Sequence, residues 1–231
     1  QWQRLRRILG AWRLRHARGG ALIIPAFAFG RTQELLYILH ELYAERAVPA
    51  MPIYVDSPLA TQLTRVFGEH PEVYDRDAHR VFLENGRNPF FFDKVHFVGS
   101  VQESMALNRD ETPHVVIVAS GMCEAGRILH HLRFKIHNPR NTILVVGFMA
   151  QNTLGRRILE LGQAYEAEGR RGPAPLLRFL NKEYPLKARV VQIGGFSAHA
   201  DRVELLRFLK TSNLRVRRIA VVHGEEEPSR A

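Results

Sequence analysis

Four short apolar runs recur along the chain, and each ends on a small or polar residue that opens a helical spacing. Ala21–Pro25 leads through Phe29-Gly30-Arg31 into Leu35, Leu36, Ile38, Leu39 and Leu42 at helical intervals. Ile53–Val55 ends in Asp56-Ser57-Pro58, where Ser57 suits an N-cap and Pro58 the first helical position. Val115–Ala119 reads as a central strand buried on both faces, followed by Ser120-Gly121-Met122 and a helix through Ile128–Leu132. Thr142–Val146 stops at Gly147, and a helix is predicted from about Thr153 to Glu160. This repetition predicts an α/β fold, a mostly parallel sheet flanked by helices. In such sheets ligands bind beyond the carboxyl ends of the strands. Gly30, Arg31, Asp56, Ser57, Ser120, Gly121, Gly147, His199 and His223 all fall at strand ends, which predicts one shared cleft.

Between these units the reading is thinner. Residues 1–18 set Leu5, Leu9 and Trp12 at helical spacing among six arginines, an amphipathic basic helix closed by Gly19-Gly20. Residues 72–95 are irregular, with Phe90-Phe91-Phe92 expected against the core and a base-stacking platform as the alternative. Ala164–Pro175 reads as a loop or hinge, Arg189 opens a strand, and a helix follows Asp201.

Composition narrows the class of partner. The 231 residues are 45% hydrophobic and 24% charged, an ordinary globular balance. No apolar run approaches the roughly 20 residues of a membrane span, and no signal peptide is visible. A single cysteine, Cys123, excludes an internal disulfide and a thiolate zinc finger, and fits a reducing, cytoplasmic compartment. The formal net charge is +10, carried mostly by arginine, which favours a polyanion; a solvated arginine-rich face explains the same charge.

Several constellations carry chemistry. The backbone N–H groups and side chain of Gly30-Arg31 suit a phosphate, and an arginine–carboxylate pair suits them equally. Ser120-Gly121-Met122-Cys123-Glu124-Ala125-Gly126-Arg127 brings a hydroxyl, a close-approach backbone and a guanidinium to a strand-to-helix junction. His130 and His131 are adjacent on a helix and therefore diverge, which argues against a shared metal. Arg156 and Arg157 oppose the helix macrodipole unless an anion sits nearby. Cys123 has no assignable base and reads as a buried thiol. Val190–Ile193 runs toward His199 and Ile219–Val222 toward His223, two imidazoles suited to metal binding or proton movement.

The combination resembles the β-CASP branch of the metallo-β-lactamase-fold nucleases. It rests on ALIIPAFAFGRTQELL (21–36), VDSPLA (55–60), VASGMCEAGRILHHL (118–132), TLGRR (153–157), FSAHAD (196–201) and VVHGE (221–225), in that order. The likeness is nearest the bacterial RNA-metabolising members. It implies a β-CASP domain over 1–186 and, over 187–231, a C-terminal segment of a metallo-β-lactamase αββα core.

By that resemblance His223 is a zinc ligand within a two-zinc centre, and His199 lies by the scissile phosphate as the catalytic imidazole. Arg31, Ser57, Ser120, Gly121, Arg127 and Arg156 are the expected phosphate contacts on single-stranded RNA. The family's main metal signature, His-x-His-x-Asp-His, is absent from residues 1–231. The expectation is therefore a C-terminal part of a zinc-dependent RNA-processing nuclease, inactive by itself; a non-catalytic RNA-binding module is the alternative. A membrane is not an expected partner, and a homodimer is left open.

Overall fold

A computed structural model describes residues 20–48, 51–74, 88–194, 200–213, 215 and 217–220. The chain divides into two compact units, residues 1–197 and 198–231. In the first, the elements run β1 (Ala21–Pro25), α1 (Arg31–Ala44), β2 (Ile53–Val55), α2 (Pro58–Glu69), β3 (Val95–Phe97), α3 (Val101–Arg109), β4 (His114–Val118), α4 (Arg127–Lys135), β5 (Thr142–Val145), α5 (Leu154–Ala167), β6 (Leu176–Phe179), β7 (Lys182–Pro185) and β8 (Arg189–Gln192). In the second, α6 spans Arg202–Thr211 and starts with a capping box between Asp201 and Glu204.

Six of the described strands form one sheet in the order β3-β2-β4-β1-β5-β8. Every neighbouring pair is parallel. All six carboxyl ends therefore lie along one edge. The predicted α/β architecture is the observed one, and β6–β7 add a separate antiparallel hairpin.

Alternation along the central strands splits the core into two layers. Leu22 and Ile24, with Val115 and Ile117, face α1 and α2 and meet Leu35, Leu39 and Leu42. Ala21 and Ile23, with Val116 and Val118, face the other way onto Ile128 and Leu132 of α4 and Ile158 of α5. Strands buried on both faces need a continuous apolar run, which is what β1 and β4 supply. Local chemistry fixes the helix starts. Ser57 accepts from Ala60 N, with Pro58 at the first position of α2. Ser100 and Glu103 make a capping box on α3, and Thr153 accepts from Arg156 N on α5.

Three stretches differ from the sequence reading. Helix α5 continues to Ala167, beyond the expected Glu160, with Gly162 still buried past that point. The β6–β7 hairpin was not foreseen; its turn places Leu180 and Asn181 at positive φ, and Leu177 and Phe179 join the α4–α5 layer. The three phenylalanines separate: Phe90 is buried, Phe92 meets His40 and Tyr43 edge-on, and Phe91 is exposed beside Phe97. The basic helix expected over 1–18 lies outside the described residues.

Gly162 is where α5 meets β8, and an added Cβ would land on the Val190 side chain. Alanine gains roughly 1 kcal/mol of helix propensity over glycine, less than the roughly 1–3 kcal/mol that overpacking a core costs. Gly162→Ala is expected to lower stability in urea denaturation, and Val190→Ala in the same background to restore part of the loss. Additive effects of the two changes would contradict this contact.

Candidate functional site

The site is built from the loops that leave the carboxyl edge. Ala26 N donates to Val118 O and Asp56 N to Ile117 O, so the exits of β1 and β2 are both pinned to β4. The loop 119–126 lies across this edge. A Cβ on Gly121 would sit 3.0 Å from Phe27 N and from its ring, so glycine is required for the close approach. Gly155 N donates to Met122 O at 3.0 Å, which joins the start of α5 to the same loop.

Beneath that loop sits a buried polar cluster centred on Asp56, which is fully excluded from solvent. Arg127 Nη1 donates to Asp56 Oδ1 at 2.6 Å. Ser104 Oγ donates to Oδ2 at 2.6 Å, and His131 Nε2 lies 2.6 Å from the same oxygen. Arg127 Nη1 also reaches Val98 O at 3.4 Å. Arg127, His131 and Lys135 recur every fourth residue and so form one stripe of α4 facing α3. Lys135, also buried, donates Nζ to Asp110 O at 2.6 Å.

The electrostatics follow from burial and from the hydrogen bonds that converge on Asp56. Burial pushes the Asp56 carboxyl up, but the hydrogen bonds from His131, Ser104 and Arg127 outweigh it and hold the group below its ordinary range. Burial pushes His131 down more strongly than Asp56 raises it, so the imidazole is neutral and donates Nε2–H to the carboxylate. His131 Nδ1 is then a buried acceptor without a hydrogen-bond partner. Burial lowers His114 to about 4, helped by the charge of Lys135, and lowers Lys135 itself to about 8. Burial raises the Cys123 thiol to about 12, which leaves it inert at neutral pH.

The sequence-predicted residues that fall among the described ones each have a definite place. Arg31 pairs with Glu34 at 2.5 Å and Arg156 with Glu160 at 2.6 Å. The buried Ser57 hydroxyl caps α2, and Arg127 is the ion partner of Asp56. Ser120 Oγ accepts from Glu124 N at 3.2 Å within the 119–126 loop. Glu124 Oε1 in turn accepts from Leu154 N at 2.5 Å, so the anion that the start of α5 asks for is a carboxylate of the chain itself. His131 is buried and His130 exposed, as divergence on a helix requires. His199 and His223 lie outside the described residues. Among the described residues no group of three or more His, Cys, Asp or Glu could hold a metal ion, so these residues do not by themselves fit a zinc centre. No described helix is long and apolar enough to cross a membrane.

Sequence reasoning missed Ser104 and His131 as partners of Asp56, and Lys135 as a buried cation one turn further along α4. The only signal was the four-residue recurrence of Arg127, His131 and Lys135, on a helix otherwise read from its leucines and isoleucine.

Asp56→Asn leaves one acceptor oxygen for three donors and removes the charge that faces Arg127. Asp56→Asn is expected to cost about 3–5 kcal/mol in chemical denaturation, the usual cost of breaking a buried ion pair from one side. The pH dependence has two windows. Asp56, depressed from 3.8, contributes stability that stands above that value and is lost as pH falls through its lower folded value. His131 and His114, depressed from 6.5, are neutral when folded, so the unfolded chain takes up protons first and stability declines as pH falls below 6.5. The glutamine amide of His131→Gln can still donate to Asp56, so this variant is expected to flatten the melting-temperature profile below pH 6.5. An unchanged slope would contradict the neutral-imidazole assignment.

Comparison with known proteins matches this arrangement to a family. Residues 32–158 match the Beta-Casp domain, and residues 183–231 match the Zn-dependent metallo-hydrolase RNA specificity domain. The chain is 38% identical over 211 residues to Ribonuclease TTHA0252 of Thermus thermophilus, covering 91% of this chain and 44% of that protein. It is 31% identical over 210 residues to Transcription termination factor FttA of Methanosarcina mazei, covering 91% and 32%. The FttA of Pyrococcus horikoshii is 32% identical over 210 residues, covering 91% and 31%. The chain thus spans less than half the length of these curated relatives. With these matches, and a parallel sheet that carries Gly30-Arg31, Asp56-Ser57 and the 119–126 loop along one edge, this chain belongs to the β-CASP branch of the metallo-β-lactamase-fold RNA-processing nucleases.

Proposed function

We propose that this chain supplies the RNA-guiding face of a zinc-dependent, RNA-processing phosphodiesterase that works in the reducing cytoplasm. The observation that carries this reading is the parallel sheet, which brings Gly30-Arg31, Asp56-Ser57, the 119–126 loop and the entry to α5 to one edge. The matched RNA specificity domain and the ribonuclease among the relatives support the substrate class. His199 is the candidate proton-handling imidazole and His223 the candidate zinc ligand. Arg31, Ser120, Gly121 and Arg156 are candidate contacts to the RNA backbone. Arg127 and Ser57 act one layer below, by holding the loop and helix that present those groups.

A guanidinium paired on the surface with a glutamate of its own helix exchanges that partner for a phosphate at small cost, because exposed pairs contribute little. Arg156 is such a residue. Arg31→Ala and Arg156→Ala are each expected to weaken RNA binding and to lower the salt slope by about one. Unchanged affinity and slope in both variants would remove the RNA path from this edge. Because residues 1–231 lack His-x-His-x-Asp-His, the purified 231-residue chain is expected to bind RNA without zinc-stimulated cleavage. Zinc-dependent turnover at enzyme-like rates in that assay would refute this expectation.

A further inference from the structure

The same edge carries three phenylalanines held out of the core. Phe27 and Phe29 follow β1 and are 47% and 68% exposed; Phe148 follows β5 and is 59% exposed. β1 and β5 are hydrogen-bonded neighbours, so their exit loops leave the sheet side by side, about 4.8 Å apart at the strands.

A single exposed phenylalanine is ordinary. Here the backbone beneath two of them is fixed by side chains committed to that purpose. Thr32 Oγ1 donates to Phe27 O at 2.8 Å, and Gln33 Nε2 donates to Ala28 O at 3.1 Å. Both donors are buried. Arg31 N donates to Phe29 O at 2.9 Å. Phe27 rests on Gly121, and Phe29 meets Phe67 edge-on with centroids 5.7 Å apart. A loop that needs only to turn has no use for such bracing, whereas a rigid presented ring binds a flat partner with little ordering cost.

The surroundings identify the partner. Arg31 adjoins the first pair of rings, and the exposed Arg157 lies on the first turns of the helix that the Phe148 loop enters. The chain carries a net charge of +10. Exposed planar rings with the exposed Arg157 near one of them, on a cationic protein, match a strand of bases joined by phosphates. We infer that Phe27, Phe29 and Phe148 form a stacking platform for the unpaired bases of single-stranded RNA. This inference rests on the RNA reading above and adds to it the side chains that engage the unpaired bases. Duplex RNA, its bases already stacked, gains nothing from the platform.

The test is fluorescence anisotropy on the purified 231-residue chain, with an oligo(A) RNA of about 12 nucleotides and a duplex of the same length. Phe29→Leu/Phe148→Leu keeps apolar bulk at exposed positions and removes the rings. It is expected to weaken oligo(A) binding about tenfold or more, with the salt slope and the duplex affinity unchanged. Phe29→Trp/Phe148→Trp is expected to bind at least as tightly as the parent chain, and 2-aminopurine in the oligonucleotide to be quenched by the parent and not by the leucine variant. Unchanged oligo(A) affinity in the leucine variant, or an equal loss on duplex, overturns the platform and leaves the RNA reading standing. Absence of any RNA binding by the parent chain overturns both. Self-association that Phe29→Ser/Phe148→Ser abolishes, with RNA affinity intact, assigns the rings to a second copy of the chain and also overturns the inference.

Discussion

The Asp56 carboxylate is the interaction on which the geometry of this edge depends. It stands at the end of β2, out of water, and accepts from Arg127, Ser104 and His131. Those donors come from α3 and α4, so one carboxylate ties the strand exit to two helices of the layer beneath. Arg127 is also the first residue of α4, and the 119–126 loop ends against it. The loop is therefore held at its end by a buried ion pair. Such a pair adds little net stability over a well-packed apolar alternative, but it fixes geometry, because a misplaced donor leaves a charge stranded in a low dielectric.

The arginines sort by depth once this cluster is recognised. Arg127 is committed inward to Asp56. Arg31 and Arg156 pair with Glu34 and Glu160 on their own helices. Arg170 and Arg189 share Glu166 and brace α5 against β8. A strongly basic composition thus overstates the charge turned toward a partner. Of these arginines, Arg156 forms the exposed, exchangeable pair, while much of the remaining arginine serves the fold.

The edge also divides its labour by residue type. Polar side chains there are largely spent on architecture: Ser57 and Thr153 cap helices, Glu124 closes the start of α5, and Thr32 and Gln33 brace the β1–α1 loop. Phe27, Phe29, Phe148 and Arg157 are among the residues left turned outward. That distribution suits a chain molecule with alternating flat and anionic parts better than a compact small-molecule substrate, which asks for a concave apolar pocket.

Periodicity and strand-end chemistry in the sequence determined the parallel sheet, its helical layers and the edge where function gathers. Runs such as Leu22-Ile23-Ile24 and Val115-Val116-Ile117-Val118 read as strands buried on both faces. The flanking motifs carried the family resemblance. The sequence could not determine how the polar residues divide between scaffold and surface. Asp56 is 48 residues from Ser104, 71 from Arg127 and 75 from His131, and no local pattern announces that they meet. The β6–β7 hairpin escaped for a related reason: its turn uses Leu180 and Asn181 where a Gly-containing pair would have signalled it. Burial and partner choice are long-range properties, set only when β2, α3 and α4 are packed together.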